Sequence, residues 1–297
     1  MLLNQTFSAY INELRSKIDQ TLDSLIPLAT SPYETLIEST RYSLLAPGKR
    51  LRPLITLAVA ELYSIPIEKV IKPACAIELV HTYSLIHDDL PCMDDDDSRR
   101  GRPTLHTIYP EWQALLSGNL LLTKAFEVLS EAPYLYSEQK LRLVKHLAQI
   151  SGADGLLGGQ VMDLLAENKQ CDVRYLQQMD LLKTGALISC SLEFGAIIAE
   201  APQRDFSLFQ NIGKNIGLAF QIIDDIIDIQ SSSEELGKPA GSDLEKGKST
   251  YPSSIGYETS KQWAEQLLEQ AQTLIDQLPG KIDLLSHLAN ALVKRTQ

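Results

Sequence analysis

Apolar residues recur at three- and four-residue spacing along most of the chain, and alternating strand-like runs are absent. This spacing places apolar side chains on one face of an α-helix. Prolines such as Pro66 and Pro110 punctuate the pattern and mark boundaries between elements. The predicted helices span residues 5–28, 33–45, 53–63, 67–90, 111–130, 138–168, 173–200, 205–230 and 259–278. The pattern therefore predicts an all-α fold, with residues 1–297 forming a single domain.

Two stretches depart from regular helical periodicity. The helix that includes Gly155, Gly158 and Gly159 is expected to be kinked or to contact another helix closely. Residues 231–252 form the longest irregular stretch. A loop of that length in a compact domain is usually functional, often as a lid, although a plain surface loop is the alternative interpretation.

Composition excludes several classes of protein. The formal charge of −11 argues against a nucleic-acid partner, which would require a broad basic surface. The sequence has no uncharged run long enough to predict a transmembrane segment, and its first residues lack the basic and apolar regions of a signal peptide. We therefore expect a cytoplasmic protein. The four cysteines are scattered without CxxC spacing, so they indicate neither a zinc site nor a disulfide framework.

The segment from His87 to Arg102 carries the strongest chemical signal. Six carboxylates fall within residues 88–97, and three arginines follow by residue 102. Mg²⁺ prefers one or two carboxylates together with substrate phosphate oxygens, and arginine matches phosphate with paired hydrogen bonds. This order suits a site that holds Mg²⁺ and an anion together, although a solvated acidic loop is the simpler alternative.

A second acidic cluster lies in a long apolar run, residues 212–229, that predicts a buried helix. Asp224 and Asp228 are four residues apart and share a helix face. Buried carboxylates without partners are costly, so a cation is expected here; a structural ion pair is the alternative. For Asp88 and Asp94 to ligate the same metal ions, the first helix must bulge or end between them, and Pro91 favours an end.

These clusters, in this order, resemble those of short-chain trans-prenyl diphosphate synthases, in particular bacterial farnesyl diphosphate synthases. The resemblance runs roughly from Leu36 to Tyr257. The matching blocks are Asp88-Asp89-x₄-Asp94, Asp224-Asp225-x₂-Asp228, Gly48-Lys49-Arg50-Leu51-Arg52-Pro53, Gly159-Gln160-Val161-Met162-Asp163, Lys183-Thr184-Gly185 and Lys248-Ser249-Thr250-Tyr251-Pro252. Each block is weak alone, but their joint occurrence is specific. The resemblance implies a helical bundle around a central cavity and a homodimer.

The resemblance also implies a reaction. The family joins isopentenyl diphosphate to an allylic diphosphate: the allylic C–O bond breaks, the isopentenyl double bond quenches the carbocation, and a proton is lost. No side chain in the sequence suggests a dedicated general base, and in the family the released diphosphate accepts the proton. Charge builds on the departing diphosphate, so electrostatic stabilisation there is the main catalytic requirement.

Site residues carry over by motif position. Asp88 and Asp94 are assigned to two Mg²⁺ ions and Asp224 to a third, and Asp163 is a further candidate ligand. Asp89, Asp225 and Asp228 are assigned to supporting positions behind the ligands. The residues assigned to the allylic diphosphate are Arg99, Lys183 and Lys238, with Lys248 as a further contact that closes the site. Those assigned to the carbocation are Lys183 (through its carbonyl), Thr184 and Gln221, and those assigned to isopentenyl diphosphate are Lys49, Arg52, His81 and Arg100.

Product length depends in the family on bulk beneath the first aspartate motif, where this chain has Tyr83 and Ser84. An aromatic ring there favours the fifteen-carbon farnesyl product, and a geranylgeranyl product of the same mechanism is the alternative. Three other classes are disfavoured. A terpene cyclase would not need the isopentenyl pocket, and a non-catalytic partner subunit would lack one aspartate motif, whereas this chain has both. A Ca²⁺- or Mg²⁺-binding module would show no diphosphate turnover, and the paired arginines and the lysine-bearing loop count against it.

Overall fold

The computed structural model describes residues 2–28, 30–230 and 248–294. Helices make up most of these ranges and strands only four residues of them, so the all-α prediction is confirmed. The first half contains α1 (Leu2–Leu25), α2 (Glu34–Leu44), α3 (Leu51–Leu62), α4 (Ile67–Asp88), strands β1 (Ser98–Arg99) and β2 (Arg102–Pro103), α5 (Leu105–Ile108) and α6 (Glu111–Ser130). The second half contains α7 (Ser137–Ser151), α8 (Leu156–Ala166), α9 (Val173–Asp180), a π-helical turn (Leu181–Gly185), α10 (Ala186–Ile198), α11 (Gln203–Gln230), α12 (Tyr251–Ile255), α13 (Tyr257–Ile275) and α14 (Asp283–Val293).

Local sequence explains where several helices begin. Pro66 and Pro110 are extended residues directly before α4 and α6, where proline cannot disturb a helical hydrogen bond. Asp172 caps α9 because its carboxylate accepts the Tyr175 backbone N–H at 2.9 Å. Thr250 caps α12 in the same way through the Ser253 N–H. Short polar side chains thus satisfy backbone donors that the helix itself leaves unpaired.

The core lies between long helices that pack side by side. α11 lies along α13, α4 along α6, and α10 packs against both α11 and α3. Among the large side chains that are fully buried there are Phe194, Phe209 and Tyr251. The segments that carry the predicted site residues are the end of α4, the π-helical turn and the last turns of α11. α4 and α11 belong to this core and the turn packs against α8 and α11, so the core fixes their backbones.

Several predicted boundaries were wrong. Residues 138–168 are two helices, because α7 ends at Ser151 and α8 begins at Leu156. The C-terminal helix α14 was not predicted, although Leu284, Leu288 and Leu292 follow helical spacing. Residues 251 and 252, assigned to an irregular stretch, belong to α12. Two-residue strands also occur, at 98–99 and 102–103.

Within the described residues, the helical stretch 173–198 is long and apolar enough to span a membrane by length and composition alone. The apolar window in this stretch is 72% buried against the rest of the protein. A core helix meets the same criterion, so this finding is weak evidence for a membrane span.

Candidate active site

The first aspartate motif lies where α4 stops. Asp88 is the last residue of the helix, and the Asp94 N–H donates to the Asp88 carbonyl at 2.8 Å. The chain therefore turns back after Pro91 and brings Asp94 close to Asp88, as the proline predicted. Burial raises the pKa of Asp88 to about 6, and Asp94 adds to the shift while Lys183 opposes it. A cation at this position would relieve the crowding of negative charge.

Asp89, next to Asp88 in sequence, forms an ion pair with Arg99. Its Oδ1 lies 2.6 Å from the Arg99 guanidinium, which also lies 3.2 Å from Oδ2 of Asp96. Burial opposes the charge of Arg99, but these carboxylates outweigh it and raise the pKa of Arg99. Asp89 therefore holds Arg99 beside the motif. This contact agrees with the assignment of Asp89 to a position behind the metal ligands.

Asp163 on α8 accepts hydrogen bonds from two lysines that are distant in sequence. Its Oδ2 accepts from Nζ of Lys183 at 2.5 Å and from Nζ of Lys248 at 2.9 Å. Lys248 also lies 3.9 Å from Oδ1 of Asp94. Although burial alone would raise the pKa of Asp163, the two ammonium groups lower it. Lys183, Lys248, Asp94 and Asp163 thus form one cluster, and the contacts of Asp163 favour a role as a lysine anchor.

Lys183 and Thr184 lie on the π-helical turn, Leu181–Gly185. Such turns are rare and occur frequently at functional sites. Helices approach its backbone from two sides at glycines: a Cβ on Gly159 of α8 would lie 2.3 Å from the Lys183 nitrogen, and one on Gly217 of α11 would lie 2.6 Å from Cα of Gly185. This confirms that the glycine-bearing helix makes a close contact, at Gly159, and it explains how the turn is held in place.

We expect Gly159→Ala to lower turnover by about 10²-fold, because the new methyl group displaces the turn that carries Lys183, and small misplacements of catalytic groups cost about that much. Steady-state kinetics with a thermal melt would measure the effect. Gly152→Ala is the matched control, since its Cβ would meet its nearest neighbour at 3.1 Å. Equal activity of Gly159→Ala and the wild type would show that the turn does not need this close contact.

A hydrogen-bonded chain links the turn to α11. Thr184 donates to Oε1 of Gln221 at 3.1 Å, and Nε2 of Gln221 donates to Asp225 at 3.1 Å. The second oxygen of Asp225 accepts the Tyr251 backbone N–H at 3.0 Å. Asp225 therefore fixes the orientation of the Gln221 amide and holds the segment that carries Lys248. Both functions support its assignment to a supporting position.

Asp224 and Asp228 lie on the same helix as Gln221. Asp224 is partly exposed and Asp228 is buried. Asp224 follows Gln221 by three residues, so the two share one face of α11. Lys183 lies within electrostatic range of Asp88 and Asp94, and Thr184 donates to Gln221 on α11, so the π-helical turn contacts both aspartate-bearing segments. Lys238 lies outside the described residues.

Three of the four residues assigned to isopentenyl diphosphate, namely Arg52, His81 and Arg100, lie near one another. Nη2 of Arg100 lies 3.3 Å from Nε2 of His81. Burial lowers the pKa of His81 well below its usual value, and the Arg52 and Arg100 guanidinium groups lower it further. His81 is therefore neutral, and its ring nitrogen can accept from Arg100. A Cβ on Gly48 would lie 3.0 Å from Nη1 of Arg100, so the segment bearing the exposed Lys49 also reaches this cluster.

Tyr83 and Ser84 are buried one turn or more below the aspartate-bearing end of α4. The Tyr83 ring is edge-on to the His87 ring, with centroids 5.5 Å apart. Burial raises the pKa of Tyr83 to about 12, and the Asp88 carboxylate adds to the shift. The hydroxyl thus lies within electrostatic range of Asp88.

The residues present fit Mg²⁺. Asp88, Asp94 and Asp224 supply carboxylate oxygens, the donors that this ion prefers. Among the described residues, no three His, Cys, Asp or Glu side chains converge on one point. Mg²⁺ ordinarily uses only one or two carboxylates and completes its shell with phosphate oxygens and water. The donor set therefore suits an ion held jointly by the protein and a diphosphate.

Sequence reasoning missed the structural role of Arg50. This side chain is 3% exposed and donates to Asp19, Glu78 and the carbonyl oxygens of Leu44 and Ala46. It thereby fixes the loop that places Lys49 and Arg52. The only signal was its position inside the Gly48–Pro53 motif, because its partners are far away in sequence or are backbone atoms.

Comparison with known proteins gives a consistent result. The polyprenyl synthetase family model matches residues 33–283. The chain is 40% identical to a farnesyl diphosphate synthase of Bacillus subtilis over 99% of both chains, and 40% identical to a geranylgeranyl diphosphate synthase of Cyanophora paradoxa over 98% of this chain and 97% of that one. An apo FPP/GFPP synthase structure from Zymomonas mobilis superposes with a TM-score of 0.88 at 35% identity, covering 99% of this chain and all of the other. A geranyltransferase from Helicobacter pylori, complexed with magnesium and isoprenyl diphosphate, superposes with a TM-score of 0.85 at 33% identity, covering 97% and 96% of the two chains. The chain therefore belongs to the polyprenyl synthetase family of prenyltransferases.

Proposed function

We propose that this chain condenses isopentenyl diphosphate with dimethylallyl and geranyl diphosphates, in the presence of Mg²⁺, to give farnesyl diphosphate. The observation that carries the proposal is the presence of two cationic clusters beside one aspartate site. One cluster, Lys183, Lys248 and Arg99, is paired with carboxylates. The other, around His81 and Arg100, lies next to it. Two diphosphates need two such clusters.

The allylic half of the site suits bond cleavage. Lys183, Lys248 and Arg99 are assigned to bind the departing diphosphate, and their positions beside the aspartates support this; Lys238 is assigned to the same diphosphate by motif. Asp88 and Asp94 would hold two Mg²⁺ ions and Asp224 a third, and these ions, when bound, would neutralise charge on the leaving group. Such preorganised charge is usually the largest catalytic contribution. The homologous structure with magnesium and isoprenyl diphosphate supports Mg²⁺ as the ion.

The carbocation half of the site uses oxygen dipoles. The Thr184 hydroxyl oxygen, the Lys183 carbonyl and the Gln221 amide are assigned to stabilise positive charge on the allylic carbons. Asp225 holds Nε2 of Gln221, so the amide oxygen points towards Thr184. The proton lost after condensation is assigned to the released diphosphate.

Tyr83 supports a fifteen-carbon product. Its ring is buried and is fixed against His87, so it cannot easily move away from the growing chain. A geranylgeranyl product is the second candidate, because relatives at 40% identity carry both names.

A release assay separates this proposal from a cyclase and from a binding module. Geranyl diphosphate is supplied with Mg²⁺, with and without isopentenyl diphosphate, and free diphosphate is measured. We expect rapid release only when both substrates are present, and none after chelation of the metal. Equal release without isopentenyl diphosphate would indicate a cyclase or hydrolase, and no release would indicate a binding module.

We further propose that the chain acts as a single cytoplasmic domain and as a homodimer. α6 exposes Trp112, Leu115 and Leu116, with Trp112 60% exposed. An apolar surface of this kind suits contact with a second copy. Light scattering is expected to give twice the chain mass of 33.0 kDa. The double variant Trp112→Glu/Leu116→Glu is expected to be monomeric, whereas Leu28→Glu, at a 66% exposed position between α1 and α2, stays dimeric. A monomeric wild type would contradict the proposal.

A further inference from the structure

A short hairpin carries two of the diphosphate-binding arginines. Strands β1 and β2 pair antiparallel, Ser98 with Pro103 and Arg99 with Arg102, and Arg100 and Gly101 form the turn. Both turn residues have positive φ, 54° and 70°, as a two-residue turn of this kind requires. We call residues 98–103 the arginine hairpin. Arg99 reaches Asp89 on one side, and Arg100 reaches His81.

Tyr42 on α2 contacts the second strand of this hairpin twice. Its hydroxyl donates to the Pro103 carbonyl at 3.0 Å. The Arg102 guanidinium carbon lies 4.1 Å from the centre of its ring, a cation–π distance. The two contacts fall on consecutive residues of β2, so one side chain fixes both the position and the direction of the strand. Neither Tyr42 nor Arg102 has a role in the site described above.

A hairpin of two residues per strand cannot hold its own shape in water. It also brings several guanidinium groups together, and these repel one another. Arg99 is stabilised by Asp89 and Asp96, and Thr104 donates to the Asp96 carbonyl at 2.7 Å. The carboxylates fix Arg99 on β1, and the Thr104 bond ties the residue that follows β2 to the segment that precedes β1. Tyr42 fixes β2, because its ring contacts the Arg102 guanidinium. Arg99 and Arg100 do not take part in this contact and instead contact Asp89 and His81.

The same helix supports the other half of the isopentenyl site. α2 ends at Leu44, and Arg50 donates to the Leu44 and Ala46 carbonyls, which ties the Gly48–Arg52 segment to that end. Gly48 in turn faces Arg100. The end of α2 is therefore a common support for Lys49 and Arg52 on one side and for the hairpin on the other.

We propose that Tyr42 is a positioning residue for diphosphate recognition. By holding Arg102 and Pro103, it sets the distance between Arg100 and the Lys49–Arg52 segment, so that their cations face one diphosphate without first paying the entropy of ordering. This proposal rests on the proposed function for the identity of the ligand. The placement of the hairpin itself does not depend on product length or on turnover.

The test compares Tyr42→Leu, Tyr42→Phe and Arg102→Gln with the wild type. The control is Tyr33→Leu, at a 60% exposed tyrosine just before α2. We expect Tyr42→Leu, which loses both contacts, to raise the KM for isopentenyl diphosphate about tenfold with kcat changed less than about twofold. Tyr42→Phe keeps the ring but loses the hydroxyl, and it is expected to raise the KM for isopentenyl diphosphate about threefold. The Tyr42→Leu/Arg102→Gln double variant is expected to be no worse than the more affected single variant, because both act through one contact.

Calorimetric binding of inorganic pyrophosphate provides a readout that needs no turnover. We expect Tyr42→Leu and Arg102→Gln to bind pyrophosphate several-fold more weakly than the wild type and Tyr33→Leu. If the wild type binds pyrophosphate but makes no product, the proposed function fails while the role of Tyr42 can still be measured. Unchanged KM and pyrophosphate affinity in Tyr42→Phe and Arg102→Gln would overturn the proposal. So would a loss of kcat and thermal stability without a change in KM, which would show a purely structural role.

Discussion

Asp88→Ala and Asp224→Ala are each expected to lower kcat by about 10³-fold or more, with little effect on folding. Each change removes a carboxylate assigned to hold Mg²⁺ against the departing diphosphate, and charge stabilisation of this kind is usually the largest catalytic contribution. Asp88 is partly buried at the end of α4, close to the charges of Lys183 and Asp94, and Asp224 lies on α11 three residues after Gln221, which accepts from Thr184. Initial rates at saturating substrate and Mg²⁺ measure the effect.

Asp97→Ala is the control for both variants. Asp97 belongs to the same acidic run but is exposed, and it is expected to keep activity within about threefold of the wild type, as surface changes usually do. If Asp88→Ala kept near-normal activity, the metal assignment would be wrong. If Asp97→Ala were as damaging as Asp88→Ala, the whole acidic run rather than its ends would be responsible.

Tyr83→Ala is expected to lengthen the main product from fifteen to twenty carbons or more. The ring is 3% exposed and lies against His87, within electrostatic range of Asp88, so its removal opens space below the reacting end of the allylic substrate. Chromatography of the dephosphorylated products measures the chain length. Tyr83→Phe keeps the ring and is expected to leave the product unchanged.

Two results would contradict this role of Tyr83. One is an unchanged fifteen-carbon product in a folded Tyr83→Ala variant, which would place the end of the cavity elsewhere. The other is a wild-type enzyme that already makes twenty-carbon product, which would show that Tyr83 does not limit the chain. A melting temperature measured on the same sample separates loss of folding from loss of specificity, because removal of a buried aromatic ring costs about 3–5 kcal/mol of the free energy of unfolding.

The helical class of the fold could be predicted because apolar periodicity is a local property of the sequence. The exceptions have local causes that periodicity does not record. Between α7 and α8 the chain leaves the helix at Gly152–Gly155, although the apolar spacing continues on both sides. The π-helical turn at Leu181–Gly185 leaves the apolar pattern of its neighbours intact. A pattern that counts residues cannot detect a change in the hydrogen bonding between them.

The parts of the candidate site that could be predicted are those whose residue types alone indicate a chemical function. Clustered aspartates and arginines in a fixed order indicate metal and diphosphate binding, and the structure brings the end of α4 close to Lys183 and Lys248. The supports were not predictable. Tyr42 contacts Pro103 across 61 residues, and Asp163 meets Lys248 across 85. These contacts join distant residues of ordinary type, and nothing local in the sequence distinguishes them from other tyrosines or aspartates.

The most direct test of the account is a product-length assay with purified protein, Mg²⁺ and isopentenyl diphosphate. Dimethylallyl, geranyl and farnesyl diphosphate are supplied in parallel as the allylic substrate. We expect a fifteen-carbon product from the first two and no extension of the third. A twenty-carbon product would keep the condensation chemistry but contradict the role of Tyr83. No condensation with any of the three would contradict the central claim that this site joins two diphosphate substrates.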